Sequence, residues 1–115
     1  LIISSPAVRA LETAKLVAKG IGYPERKIQK EPKMYDGNYE NILDLIYGIG
    51  NQVSTLVLFG HNPTITLLAN VFLRPGVEML PTSGVACISF DTDKWEDIYG
   101  LKPMKKFVIF PNTLK

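Results

Sequence analysis

Apolar residues in this chain come in two patterns, short unbroken runs and longer stretches with an apolar position every three or four residues, and the two alternate. Leu1-Ile2-Ile3 is a β-branched run that predicts a strand, and Ser4-Ser5-Pro6 after it offers a helix cap and a proline suited to the first helical position. From Ala7 to Lys19 the residues are mostly good helix formers, Ala10, Ala14, Val17 and Ile21 share one face, and Gly20 supplies a stop. Ile28 to Met34 reads as a short edge strand, because Pro32 would remove a ladder hydrogen bond from a central one. Asn38 can cap a second helix reaching Ile49, with Ile42, Leu45, Ile46 and Ile49 inward and Gly48 and Gly50 near its end.

Thr55-Leu56-Val57-Leu58-Phe59 is a near-continuous apolar run of the kind found in strands buried on both faces, and it is the best candidate for a central strand. Gly60-His61-Asn62-Pro63 then leads into a helix carrying Ile65, Leu67, Leu68, Val71, Phe72 and Leu73, which Arg74-Pro75-Gly76 breaks. Gly84 to Asp91 and Lys106 to Phe110 read as two last strands joined by a polar connection containing Trp95 and Tyr99. Strands alternating with helices predict an α/β domain over residues 1–115, three-layered, with a mostly parallel sheet flanked by helices and an antiparallel edge near the end.

Composition adds limits. A chain of 115 residues, 46% of them hydrophobic, is enough for one core. A net charge of +2 with mixed signs gives no basic block for nucleic acid or a membrane surface, and Trp95 lacks the basic surroundings of a base-stacking platform. The single cysteine, Cys87, lies in the apolar run Val85-Ala86-Cys87-Ile88 and is expected to be buried. No apolar stretch approaches the roughly eighteen residues of a membrane span, and no secretory signal opens the chain, so a cytoplasmic protein is expected. The chain starts at Leu1 inside an apolar run, as if cut partway through a strand.

Candidate chemistry sits at the two strand-to-helix junctions. In an open α/β sheet ligands collect beyond the carboxyl ends of the strands, where the following helices present free N–H groups and positive partial charge. Arg9, one turn into the first helix, can fork onto a phosphate, and His61, the only histidine, sits at the mouth of the second junction. There Gly60 allows a tight turn and Asn62 can cap the helix that begins at Pro63. The two junctions are expected to converge on one anion.

The run Ser4-Ser5-Pro6-Ala7-Val8-Arg9-Ala10-Leu11-Glu12-Thr13-Ala14 resembles the second signature of the histidine phosphatase superfamily, with its phosphoglycerate-mutase-like fold. Gly60-His61-Asn62-Pro63 resembles the later Gly-His signature of the same superfamily, and Leu80-Pro81-Thr82-Ser83-Gly84 is similar to its small phosphohistidine phosphatase branch. The resemblance implies that Arg9 binds the phosphoryl group, that His61 donates to it, and that Asn62, Ser83 and Gly84 line the phosphate pocket. It implies no metal and no cofactor. Members begin with a strand ending in Arg-His-Gly or Arg-His-Ala whose histidine attacks phosphorus; none of Arg9, Arg26 and Arg74 precedes a histidine here. The nucleophile is therefore expected outside these residues, in roughly the first third of a domain of ordinary size.

The implied reaction is removal of a phosphoryl group through a phosphohistidine intermediate, from a phosphohistidine protein or from a small phosphate ester. Asp36 and Glu40 fall where a general acid is plausible, but acids beside a helix start are commonly dipole partners. Their weakness as acids favours a phosphohistidine substrate, whose imidazole leaving group can itself be protonated. The alternatives are a sugar-phosphate phosphatase or mutase of the superfamily, and a phosphate-binding or interaction module without turnover. The absence of a Gly-x-Ser-x-Gly elbow excludes an α/β hydrolase, and one histidine with one cysteine on separate elements makes no usual metal set.

Overall fold

In the computed structural model, which describes residues 1–34, 38–73, 75–80 and 85–109, the buried centre is Ile2–Ser4, the strand β1. Ile2 and Ile3 point to opposite faces, yet each is 1% exposed, so the strand is covered on both sides. Each such burial contributes about 1.5–3 kcal/mol. β1 pairs in parallel with β2 (Gln29–Lys30) on one side and β3 (Val57–Phe59) on the other, giving the order β2-β1-β3.

Strand alternation sorts the helices into layers. Ile2 packs with Val57 and Phe59 against Ala14 and Ala18 of α1 (Val8–Ile21). Ile3 packs with Leu58 against Met34, against Ile42 and Ile46 of α2 (Tyr39–Tyr47), and against Leu68 of α3 (Thr64–Phe72). Helices thus cover both faces of a small parallel sheet, an α/β arrangement as expected.

Among the described residues β1, not β3, holds the middle of the sheet and β3 has β1 alone beside it, because a continuous apolar run reports burial of both faces and not the number of hydrogen-bonded neighbours. β2 is an edge strand as its sequence predicts, and Pro32 opens a 3-10 turn, Pro32–Met34, directly after it.

Ala10, Ala14 and Ala18 form the buried stripe of α1. The helix runs through Gly20 and ends at Gly22, whose φ of +77° places it in the left-handed region. Gly22 N–H closes onto the Lys19 carbonyl and Tyr23 N–H onto that of Ala18, a Schellman cap. Tyr23 is thereby folded back against Ala14 and Ala18, and Ile21, expected on the buried face, is 64% exposed instead. α2 begins as its sequence predicts, with the Asn38 side chain accepting from Glu40 N–H at 3.0 Å, and stops at Gly48.

The last two strands, β4 (Val85–Ser89) and β5 (Lys105–Ile109), pair antiparallel as a separate sheet. Ala86, Ile88 and Val108 pack on Ala69 and Leu73 at the end of α3 and on Leu80. Cys87 points the other way and is exposed, not buried, because a two-stranded sheet covered on one face leaves alternate residues outside. Trp95 opens a 3-10 turn, Trp95–Gly100, packs against the main core, and donates its indole N–H to the Val53 carbonyl at 2.7 Å. It is a packing residue, as expected. Among the described residues no helix is long and apolar enough to cross a membrane.

The Tyr47 ring lies edge-on to Tyr99 with centroids 6.0 Å apart, and its hydroxyl is buried with no hydrogen-bond partner among the described residues. Burial pushes the phenol above its ordinary value, and Tyr99 and Asp44 push it further. The protonated phenol is thus favoured in the folded chain, and stability is lost as pH rises past the unperturbed value of about 10. Tyr47→Phe is expected to leave stability at neutral pH unchanged or slightly higher, and to remove that alkaline loss. Denaturant melts at pH 7 and above pH 10 check both halves; a clear loss at pH 7 would show that the hydroxyl is satisfied.

Candidate functional site

The pairing of β1 with β3 continues one residue past the strands, where Ser5 N–H donates to the Phe59 carbonyl at 2.9 Å. Both chains then turn into helices at the same end of the sheet, through Ser5-Pro6-Ala7 into α1 and through Gly60-His61-Asn62-Pro63 into α3. The side chains meet there. Ser5 Oγ lies 2.7 Å from His61 Nε2, with Ser5 fully buried and His61 half-buried. Ile65 N–H donates to the His61 carbonyl at 2.8 Å, which fixes the backbone beneath the ring.

Ser5 was expected only as a cap. α1 instead starts at Val8 with Ala7 at its N-cap and no side-chain capping bond, and Pro6 precedes the helix. The Ser5 hydroxyl accepts from Ala7 N–H at 3.2 Å and turns its other side to His61. The only sequence signal for this role is a polar residue directly after a β-branched run, and that signal does not name its partner.

Arg9 stands in the first turn of α1, exposed, and its guanidinium has no hydrogen bond or ion pair among the described residues. Helical bonding begins at Leu11 N–H to the Ala7 carbonyl, which leaves the N–H groups of Val8, Arg9 and Ala10 at the helix mouth. α3 also lacks a side-chain cap; Pro63 occupies its N-cap after a cis Asn62-Pro63 bond. Neither α1 nor α3 has an acidic residue in its first turn, whereas α2 has Glu40 there as well as the Asn38 cap. The two helices at this edge thus have neither a capping side chain nor a first-turn acid at their positive ends.

Asn62 does not cap α3. Its Nδ2 donates to the Leu80 carbonyl at 2.6 Å and its Oδ1 accepts from Thr66 Oγ1 at 2.5 Å, while Thr66 Oγ1 accepts from Leu80 N–H at 2.9 Å. One helical step further, Asn70 exchanges hydrogen bonds of 2.8 and 2.9 Å with the Val77 backbone. Residues 62, 66 and 70 recur every four positions, so they form one polar stripe that ties down the segment ending at Leu80. The stripe could have been read from that spacing in a helix whose only other polar residue is Thr64. Ser83 and Gly84, to which this segment leads, lie outside the described residues, as does Asp36. Glu40 is exposed at the capped start of α2.

Gly60 has a steric role. Its φ is not left-handed, but a Cβ there would come within 3.1 Å of Met34 Cε and 3.6 Å of Ile65 Cδ1, so the glycine lets the core close under the turn. An imidazole held by a hydroxyl beside helix N–H groups suits binding of an oxyanion, and the Arg9 guanidinium, which has no partner among the described residues, stands in the first turn of the helix that follows Ser5.

No family model and no solved structure matches this chain. It is similar to two uncharacterised proteins, from two strains of Mycobacterium tuberculosis, at 29% identity over 107 residues, covering 84% of this chain and 64% of each of theirs. The chain thus spans a little under two thirds of the length of these relatives.

Thr66→Val keeps the shape of the stripe but removes its shared hydroxyl. Leu80 N–H is left buried without an acceptor, so a loss of about 1–3 kcal/mol is expected in a denaturant melt. A change below about 0.5 kcal/mol would show that the stripe does not hold the segment.

Proposed function

We propose that this chain is the part of a histidine-phosphatase-type enzyme that holds the transferred phosphoryl group. The observation that carries the reading is the 2.7 Å contact between Ser5 Oγ and His61 Nε2, which joins two strand-to-helix junctions at one sheet edge. The resemblance of residues 4–14 and 60–63 to two signatures of that superfamily supports it, as do the N-termini of α1 and α3, which have neither a capping side chain nor a first-turn acid.

In this reading Arg9 clamps two phosphoryl oxygens, while His61 and helix N–H groups stabilise the charge that spreads over the equatorial oxygens in the transition state. The resemblance assigns Ser83 and Gly84, outside the described residues, to the same pocket, and Asn62 acts by holding the segment ending at Leu80 that precedes them in sequence. The nucleophile is a histidine on a further strand. β3, with only β1 beside it among the described residues, offers an edge where such a strand would complete a phosphoglycerate-mutase-like sheet. The substrate in this reading is a phosphohistidine protein, with the cytoplasm as its place: of the two acid candidates Asp36 lies outside the described residues and Glu40 sits at a capped helix start, and an imidazole leaving group asks less of a general acid than an alkoxide does.

In the full-length protein, His61→Ala or Arg9→Ala is expected to lower the rate of phosphohistidine hydrolysis at least about a hundredfold, as loss of a transition-state donor does. Rates near wild type for both variants would overturn the assignment. A preference for sugar phosphates over a phosphohistidine protein would move the substrate to the small-molecule members of the superfamily, and tight phosphate binding without turnover would make the protein a binding module.

A further inference from the structure

Every polar group of Ser5 can be accounted for among the described residues. Its N–H donates to the Phe59 carbonyl at 2.9 Å, its carbonyl accepts from Ser4 Oγ at 2.8 Å, and its Oγ accepts from Ala7 N–H at 3.2 Å. The hydroxyl proton remains, and the acceptor within reach is His61 Nε2 at 2.7 Å. Were Nε2 itself protonated, it would donate to Oγ and leave that hydroxyl proton without an acceptor in a fully buried position.

From this pattern we propose that Ser5 is a positioning residue which donates to His61 Nε2 and so fixes the neutral imidazole as its Nδ1–H tautomer. Free imidazole side chains favour the opposite tautomer, so the buried hydroxyl selects the minor form. The ring proton offered by His61 is then the one on Nδ1, and the ring plane is set by Ser5 while the backbone is set by Ile65 N–H. Ser5 does not attack substrate. It is 0% exposed, and its oxygen is already engaged by Ala7 and His61.

The functional consequence, a donor aimed at a phosphoryl oxygen, rests on the phosphate-site reading; the tautomer itself does not. His61 is the one histidine of these 115 residues, and in the full-length protein its ring nitrogens are read by long-range ¹H–¹⁵N correlation, with its peaks assigned by their loss in His61→Gln. The spectrum is taken near pH 8, above the ordinary imidazole range. Expected for the wild type is a protonated Nδ1 and an unprotonated Nε2. Ser5→Ala is expected to shift the population toward Nε2–H, and Ser5→Thr, which keeps the hydroxyl, to restore the wild-type pattern. A wild-type ring protonated at Nε2 overturns the proposal even if neither variant folds, and a folded Ser5→Ala protein with an unchanged ring spectrum overturns it equally.

Inorganic phosphate, titrated into the same samples, separates the two readings. Affinity about tenfold weaker in Ser5→Ala than in wild type, the weight of one hydrogen bond to a charged group, supports both. The expected Ser5-dependent tautomer with no phosphate binding by any form leaves the positioning role standing and removes the phosphate site.

Discussion

Between Ile2 and Phe59 the structure rests on a short parallel ladder, Ile2 opposite Val57, Ile3 opposite Leu58, Ser4 opposite Phe59, extended by the bond from Ser5 N–H to the Phe59 carbonyl. This register decides two things at once. It sends Ile2, Val57 and Phe59 to the alanine stripe of α1, and Ile3 and Leu58 to the larger side chains of α2 and α3. A slip of one residue in either strand would exchange those faces, pressing the wrong side chains onto Ala14 and Ala18. The same slip would carry Ser5 away from His61, since each lies a fixed one or two residues past its strand. Core packing and the candidate site therefore share one constraint.

The helix termini show where the chain departs from local rules. An N-cap is worth about 1 kcal/mol, and α2 uses one, with an acid in the first turn besides. α1 and α3 use neither, although Ser5 and Asn62 stand close enough in sequence to serve. Both side chains are committed elsewhere, Ser5 to a histidine and Asn62 to the segment ending at Leu80. Local stability forgone at two adjacent junctions, and at no cost to α2, is the pattern expected where open N–H groups serve a ligand.

Elements were legible because their signals are local. Apolar runs and helical spacing marked each described strand and α-helix but none of the 3-10 turns, and α2 followed its cap and its Ile42 and Ile46 face closely. What escaped depends on partners. Whether β3 is central or marginal turns on neighbours that the apolar run does not encode, and the exposure of Cys87 follows from β4 having one covered face. The stop at Gly22 rather than Gly20 was decided by Tyr23 packing back onto Ala18. In the site, Arg9 and His61 could be named from their junctions, while Ser5 could not, because its partner is 56 residues away. The polar stripe of α3 is the exception, visible in the spacing of Asn62, Thr66 and Asn70 although its backbone partners at Val77 and Leu80 are not.

The two candidate ligand groups differ in how much freedom they retain. His61 is held at ring and backbone, and the residue that holds its backbone, Ile65, packs against the main core, so the imidazole inherits the rigidity of that core. Arg9 is exposed and has no partner among the described residues, and ordering such a side chain on a ligand costs about 0.5–1.5 kcal/mol. A rigid donor fixes where charge must sit, whereas a mobile guanidinium adapts to what arrives. In the proposed phosphate site, discrimination between oxyanions would then come from the geometry around Ser5 and His61, with Arg9 adding attraction to any of them. The physical division is between a part built by strand register and a part left to the surface of a helix.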